Sequence, residues 1–377
     1  MERWRRRGHS VEILTSDFRV EGVANTALEP GVHRLLKLYV DVTNNQYFGP
    51  PFERRLSTER ANRAALRQVV RGFRPQVASI WNMGGMSLGL LSSLRQLGAP
   101  CVLVVCDVWP TYAHHADAWV RGLLPRPVIA RIVHSLTGLP TGLPELDSME
   151  RACFVSEFLL SEVRSLSPWN FPNAEVVHAG IDNSNDLPAR VVESRPWSWR
   201  LLCLGRLDPC KGVDTVVRAL SSCPQEATLV VHGRGAAEYR RELEELAQKL
   251  GLSERVVFSG SDRELVGEVY RQADVLVFAS ACGEGFGLVP LEAMAWSVPV
   301  VATRDGGSAE YLTHELNCLA FEAGDDAGLA ASLARLAADP ELRAALVAGG
   351  LATAREMTVD RQADGLARAH EAAARER

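Results

Sequence analysis

Three things are missing or scarce in this 377-residue chain, and each removes a class of function. No apolar run approaches the roughly 18 to 20 residues that cross a bilayer as a helix, so no spanning segment is expected. The eight cysteines, at 101, 106, 153, 203, 210, 223, 282 and 318, include no Cys-x-x-Cys pair, and no histidines stand at zinc-finger spacing. That argues against a structural zinc site. With Cys101 and Cys203 inside apolar runs, the cysteines read as buried free thiols of a reducing compartment. The third scarcity is net charge. Lys and Arg number 41 against 46 Asp and Glu, a balance of −5, so the chain as a whole is no nucleic-acid binder. Its first seven residues carry Arg3, Arg5, Arg6 and Arg7, yet no apolar core follows them and no secretory signal is expected. Those arginines are a candidate contact with anionic lipid, with an exposed helix end as the plainer reading.

What is present is an ordinary globular composition, 47% hydrophobic and 23% charged, in a length that suggests two domains. Short apolar runs alternate with helix-like stretches. Strands are expected at 11–15, 77–81, 101–106, 152–155 and 176–178, then at 200–204, 228–232, 256–259, 275–278, 300–302 and 318–321. Helices are expected at 53–72, 86–97, 213–221, 238–250, 264–273, 288–296 and 326–338. Most of these strands are non-alternating, which predicts parallel sheets covered on both faces, and the pattern occurs twice, which predicts two Rossmann-like domains. The polar stretch after Ile181 predicts a linker at 183–198, between an N-terminal domain over 1–182 and a C-terminal domain over 199–356. Residues 357–377 read as a helical tail that frays at its end.

The chemistry concentrates in the second half. A buried strand ends at Gly205, and Arg206 and Lys211 follow in its loop before a helix begins near Gly212. In open α/β sheets ligands bind at the carboxyl ends of strands, and two cations there suit a diphosphate. A second strand, 275–278, is followed by Gly283-Glu-Gly-Phe-Gly-Leu-Val-Pro-Leu-Glu292. Glycines let main chain approach a ligand, and the N–H groups around Gly287 and Leu288 open a helix and favour an anion. Glu284 and Glu292 are then hooks for sugar hydroxyls beside the charge held by Arg206 and Lys211. For Glu292 alone, a favourable place in a first helical turn is the bland account.

These residues resemble the family 4 glycosyltransferases of the two-domain GT-B fold. Gly205-Arg206-Leu207 with Lys211-Gly212 looks like the family's donor-phosphate segment, Gly233-Arg234-Gly235 like its second glycine turn, and Glu284 to Glu292 like its Glu-x7-Glu motif. Pro299 to Glu310 looks like the strand and glycine turn that follow, and the likeness covers most of 200–345. The resemblance implies an α/β GT-B fold, two Rossmann-like domains facing across a cleft. It implies retaining transfer of a sugar from a nucleotide-diphosphate sugar to an acceptor hydroxyl, with no cofactor and no metal; the chain contains no Asp-x-Asp triplet. It assigns catalysis to Glu284, Arg206 and Lys211, and donor binding to Gly205, Gly233, Gly285, Phe286, Gly287, Leu288 and Glu292. Glu284 would contact the donor sugar and Glu292 the nucleoside ribose.

The first half resembles the acceptor domain less closely. Arg7 to Thr15 looks like the end of the family's first helix and its second strand, so the chain is expected to lack the first strand and its glycine-rich loop. Cys106 stands where the family often has His, which leaves Asp107 to orient an acceptor hydroxyl or take its proton. His114, His115 and Asp117 form the sharpest metal-site candidate, with a lone surface histidine pair as the commoner outcome. Trp109, Tyr112 and Trp119 would stack on a sugar acceptor or pack a domain edge.

The leading expectation is a cytoplasmic glycosyltransferase with a nucleotide-sugar donor. Its acceptor would be lipid-linked, polysaccharide or small, with peripheral contact at the inner membrane face as an added setting. The alternative is a non-catalytic nucleotide-sugar-binding protein or partner subunit. A dehydrogenase would need Gly-x-Gly-x-x-Gly, and the nearest stretch, Gly233-Arg-Gly235, has Glu238 in the third glycine's place. A GT-B epimerase accounts less well for the ordered segments.

Overall fold

A computed structural model describes residues 2–18, 30–41, 46–182, 196–260 and 266–376. Most of the expected linker, and the first two residues of the helix expected at 264–273, lie outside them. The chain divides into two compact units, Met1–Val177 with Ala363–Arg377, and His178–Gln362.

In the first unit, Ile13–Ser16 (β1) pairs in parallel with Val32–Leu36 (β2), and Val40–Asp41 (β3) pairs antiparallel with Gln46–Tyr47 (β4). Ala78–Ile80 (β5), Cys101–Val105 (β6), Arg151–Phe154 (β7) and Ala174–Val176 (β8) form a parallel sheet in that order. β6 reads Cys-Val-Leu-Val-Val and is buried along its whole length, as a central parallel strand should be. The tail is not a fraying appendage. Helix Val359–Arg375 sends Leu366, Ala369 and Ala373 into a buried cluster with Val102, Val104 and Cys153, and Arg151 pairs with Glu376 at its end. The helix breaks from the preceding one because Ile181 intervenes. Its N–H donates to the Met357 carbonyl at 3.0 Å, and its carbonyl accepts the Val359 N–H at 3.0 Å.

The second unit is a six-stranded parallel sheet of Arg200–Leu204 (β9), Thr228–His232 (β10), Val256–Ser259 (β11), Val275–Phe278 (β12), Val300–Thr303 (β13) and Leu319–Phe321 (β14). The order is β11-β10-β9-β12-β13-β14. Val216, Val217 and Leu220 of helix Val213–Leu220 and Leu329, Leu333 and Leu336 of helix Asp326–Ala338 bury their apolar stripes in one core with β9, β10 and β12. Asp325 begins the second of these helices, accepting the Gly328 N–H at 2.9 Å. The chain winds outward from β9 through β10 to β11, then returns to lay β12 on the other side of β9. The carboxyl ends of β9 and β12 therefore flank the point where the winding reverses, the ligand crevice of open α/β sheets.

Five cysteines are buried, but Cys106, Cys210 and Cys282 are exposed. That corrects the expectation of uniformly buried thiols: these three lie in loops just beyond strand ends, where the sheet no longer covers them.

Candidate active site

At the carboxyl edge of the second sheet, hydrogen bonds tie together the loops that follow β9, β10, β12 and β13. The Gly205 N–H donates to the His232 carbonyl at 3.0 Å, joining the loops after β9 and β10. A Cβ on Gly233 would fall inside the van der Waals sphere of the Gly205 carbonyl oxygen, so only glycine permits that approach. The loops after β9 and β12 meet where the Ala281 N–H donates to the Cys210 carbonyl at 2.8 Å. Gly212, at φ 61°, ends the turn Pro209–Lys211 against the Ala279 carbonyl and opens helix Val213–Leu220. The glycine loop after β12 is fastened to the loop after β13. The Gly283 N–H donates to Asp305 Oδ2 at 2.8 Å, and the Gly307 N–H donates to the Glu284 carbonyl at 2.7 Å.

This scaffold brings Lys211 and Glu284 into contact. Lys211 Nζ pairs with Glu284 Oε1, which also accepts from Ser280 Oγ at 2.7 Å. The two side chains are only 24% and 16% exposed, so the pair sits in a recess and not on an open surface. Arg206 shares the loop, but its side chain is 74% exposed and its Nε lies 3.9 Å from Asp208. Glu292 lies in the helix Leu288–Ala295, where Oε2 accepts from Tyr270 Oη at 2.9 Å. Burial, then the Glu292 charge, holds that phenol well above its ordinary pKa, so it stays a donor. The helix starts at Gly287, φ 80°, with no side-chain cap among the described residues, and Leu288 is exposed beside it. Helix starts of this kind leave N–H groups without intrahelical partners.

Phe286 does not fit the role of a donor-facing side chain. Its ring is buried, stacked on His178 at 5.5 Å and tilted against Tyr311 at 5.2 Å. Tyr311 Oη donates to the Gly287 carbonyl, and His178 Nε2 lies 2.9 Å from Glu310 Oε2. Apolar area drew this ring into the unit, so it braces the glycine loop from behind. The flanking Gly285 and Gly287 leave only main chain to face a ligand.

Asp107 belongs to the first unit, just past β6. It is held by Asn82, whose Nδ2 donates at 2.6 Å, and by the Trp109 N–H at 2.9 Å. Burial pushes its carboxyl above the usual range. Asp117, the third member of the metal candidate, is fully buried. It caps helix Ala118–Leu123 by accepting the Trp119 N–H at 2.8 Å, and it also accepts the Leu88 N–H at 2.7 Å. Among the described residues no cluster of three His, Cys, Asp or Glu could hold a metal ion. Trp109 and Trp119 are core residues rather than sugar platforms.

Ser280, Asp305, Tyr270 and Tyr311 position the two glutamates and their loop, although no motif singles them out. Ser280 closes the apolar run of β12 and Asp305 opens the Asp-Gly-Gly turn, both visible signals of strand-end loops. The tyrosines gave none, because their partners lie 22 and 24 residues away.

Two Rossmann-like parallel sheets in one chain, the second with glycine loops at its reversal point, define a protein of the GT-B class. The family model for Glycosyltransferase Family 4 matches residues 1–185, and that for Glycosyl transferases group 1 matches residues 191–351. The chain belongs to the family 4-like glycosyltransferases of the GT-B fold. It is 38% identical over 166 residues to a D-inositol 3-phosphate glycosyltransferase of Xylanimonas cellulosilytica, covering 43% of this chain and 40% of that one. It spans less than two thirds of the length of the curated relatives it matches first. Among solved structures it is similar to a sucrose-phosphate synthase from Thermosynechococcus elongatus, with TM-score 0.68 and 20% identity over 97% of this chain and 89% of that one. It is also similar to Anabaena HepE crystallised with UDP and glucose, with TM-score 0.60 and 20% identity over 81% of each. No helix among the described residues is long and apolar enough to cross a membrane.

Proposed function

We propose that this protein transfers a sugar from a nucleotide-diphosphate sugar to an acceptor hydroxyl, without a metal and with retention of anomeric configuration. The observation that carries the reading is the recessed Lys211–Glu284 pair at the reversal point of the second sheet. A lysine that exchanges its carboxylate partner for a diphosphate frees that carboxylate for a hydroxyl of the attached sugar. One ligand thus satisfies both groups, where either a phosphate or a sugar alone satisfies one. Arg206, free to swing from solvent, and the amides at Gly287 and Leu288 add neutralisation as the diphosphate departs. The amides, preorganised at the helix start, contribute roughly 3 to 4 kcal/mol each to a transition state. Glu292, oriented by Tyr270, is assigned the ribose, and Asp107 the acceptor hydroxyl. The UDP and glucose of the HepE complex, and the relative acting on an inositol phosphate, support a nucleotide-sugar donor and an acceptor rich in hydroxyls.

The test is a thermal-shift screen of UDP, GDP and ADP with their sugar conjugates, followed by turnover of the best binder against candidate acceptors in chelator. Stabilisation by one base series, with more from the sugar conjugate than from the bare diphosphate, is the expected result. The absence of any shift overturns the reading. Binding without transfer to any acceptor would identify a nucleotide-sugar-binding protein instead.

A further inference from the structure

Two of the three exposed cysteines meet beside the recess. Cys210 lies in the turn Pro209–Lys211 after β9, and Cys282 lies in the loop after β12. β9 and β12 are neighbours in the sheet. Strands so paired run roughly 4.8 Å apart, within the span of about 4.4 to 6.8 Å that a disulfide bridges between Cα atoms. The two loops stay together beyond the strand ends. The Cys210 carbonyl accepts from three consecutive residues of the other loop: Ser280 Oγ at 3.4 Å, the Ala281 N–H at 2.8 Å and Cys282 Sγ at 3.6 Å. The Cys210 thiol is in turn a hydrogen-bond partner of the Cys282 thiol.

Both segments are fastened. Asp208 Oδ1 accepts the Cys210 N–H at 3.1 Å, and the Gly283 N–H donates to Asp305 Oδ2 at 2.8 Å. Turning the Cys282 sulfur from the carbonyl to its partner therefore needs only a change of rotamer. Five other cysteines are buried, and Cys106, the third exposed one, belongs to the first unit.

We propose that Cys210 and Cys282 form a redox-modification site, in which a peroxide oxidises the pair to a disulfide that clasps the loops bearing Lys211 and Glu284. The thiolate of one cysteine attacks the peroxide, so that an S–O bond forms as the O–O bond breaks and hydroxide leaves. The second cysteine then attacks that sulfenic sulfur. An S–S bond forms, the S–O bond breaks, and the departing oxygen takes a proton and leaves as water. Two thiols and one hydrogen peroxide thus give one disulfide and two waters, the sulfurs losing the two electrons that the peroxide gains. A low-molecular-weight dithiol reverses the step by exchange. Cys210 immediately precedes Lys211, and Cys282 comes just ahead of Gly283 and Glu284. The consequence for the ligand rests on the proposed function. A diphosphate must part Lys211 from Glu284, and a covalent bond between the segments that carry them resists that parting. Oxidation thereby closes the donor recess.

The test treats the full chain, in a Cys106→Ser background, with hydrogen peroxide and maps the product by mass spectrometry. The expected product is a monomer lighter by two hydrogens, with the Cys210 and Cys282 peptides joined, and dithiothreitol restores both thiols. Cys282→Ser should stop at a sulfenic acid on Cys210, which dimedone labels. A bond to any other cysteine, an intermolecular dimer, or separate oxidation of the two sulfurs overturns the proposal. Calorimetry of the mapped forms with UDP, GDP and ADP reads the effect on the recess. The oxidised form should bind its nucleoside diphosphate about tenfold more weakly than the reduced form. Cys210→Ser with Cys282→Ser should bind alike before and after peroxide. Equal affinity of the oxidised and reduced forms overturns the closing of the recess. A reduced protein that binds none of the three nucleotides overturns the reading of the donor site instead, and the mapped bond still decides the redox site.

Discussion

Lys211 and Glu284, 73 residues apart, face each other across the ends of adjacent parallel strands, and Ser280 holds the glutamate to the pair. On the proposed function, the arrangement stores a cation where a diphosphate would need one and shields it until a ligand comes. Removing the lysine does more than delete a contact, because Glu284 then stays in the recess as an uncompensated charge facing an anionic ligand. Lys211→Ala is expected to weaken nucleoside-diphosphate binding by about 2 kcal/mol, roughly thirtyfold in Kd, measured by calorimetry. Adding Glu284→Gln should restore part of that loss for the bare diphosphate but none of the preference for the sugar conjugate. A double variant whose losses simply add would show that the two residues do not act on one ligand.

Gly233 tests how the loops carry the site. A Cβ there meets the Gly205 carbonyl, which is backbone and cannot rotate away, so Gly233→Ala must shift the loop that bears Arg206 and Lys211. Destabilisation of about 1 to 3 kcal/mol is expected, with loss of nucleotide-dependent stabilisation. Gly251→Ala, at φ 71° with open space around it, should cost about 1 kcal/mol and leave ligand binding intact. Melting curves with and without nucleotide separate the two outcomes.

Much of the second sheet was legible because a parallel strand covered on both faces must be continuously apolar. Four of its strands, β9 to β12, have the bounds expected of their runs. The first unit was harder. β2 reads Val-His-Arg-Leu-Leu, with polar residues where a buried strand should be apolar. Helix Pro127–Thr137 follows two shorter helices whose boundaries depend on Asp117 as a cap. The break at Met357–Thr358 depends on Ile181, far away in sequence, and no local pattern reports such a partner. In the site, residue types and strand-end positions could be read. That Phe286 faces inward could not, because a phenylalanine between glycines looks alike whether it meets a ligand or a core.

Buried carboxyls in the first unit give the protein a specific pH response. Glu59 accepts from Tyr39 Oη at 2.8 Å and from Ser87 Oγ at 2.6 Å. Burial, with the nearby Asp117 charge, pushes its carboxyl from an ordinary 4.5 up to about 7, and burial pushes Asp117 up to about 6. A carboxyl whose folded pKa is raised binds its proton more tightly in the folded state. Its stabilising share is complete below the unfolded value and is lost as pH rises through the folded one. Glu59→Gln keeps the hydrogen-bonding shape without the charge, so its stability relative to the parent should rise by about 2 to 3 kcal/mol from pH 4.5 to pH 8. The buried His370 and partly buried His114, whose pKa values burial lowers, respond in the opposite sense but equally in both proteins. Urea midpoints across this range read the difference, and a flat difference would place the Glu59 proton elsewhere.

Phe286 separates bracing from binding. If the ring supports the glycine loop from inside, its contacts with His178 and Tyr311 matter and its chemistry toward a ligand does not. Phe286→Ala should then destabilise by about 3 to 5 kcal/mol and abolish nucleotide-dependent stabilisation, because the loop carrying Glu284 loses its support. Phe286→Leu refills most of the volume, so it should recover most of the stability and with it the affinity for nucleotide. Leu288→Ala, on an exposed side chain at the helix start, should leave the stability within about 0.5 kcal/mol of the parent and alter only ligand affinity. Should Phe286→Leu fold as well as the parent yet lose the ligand, the ring would be making contact with the donor directly, and the inward packing would describe only the empty site.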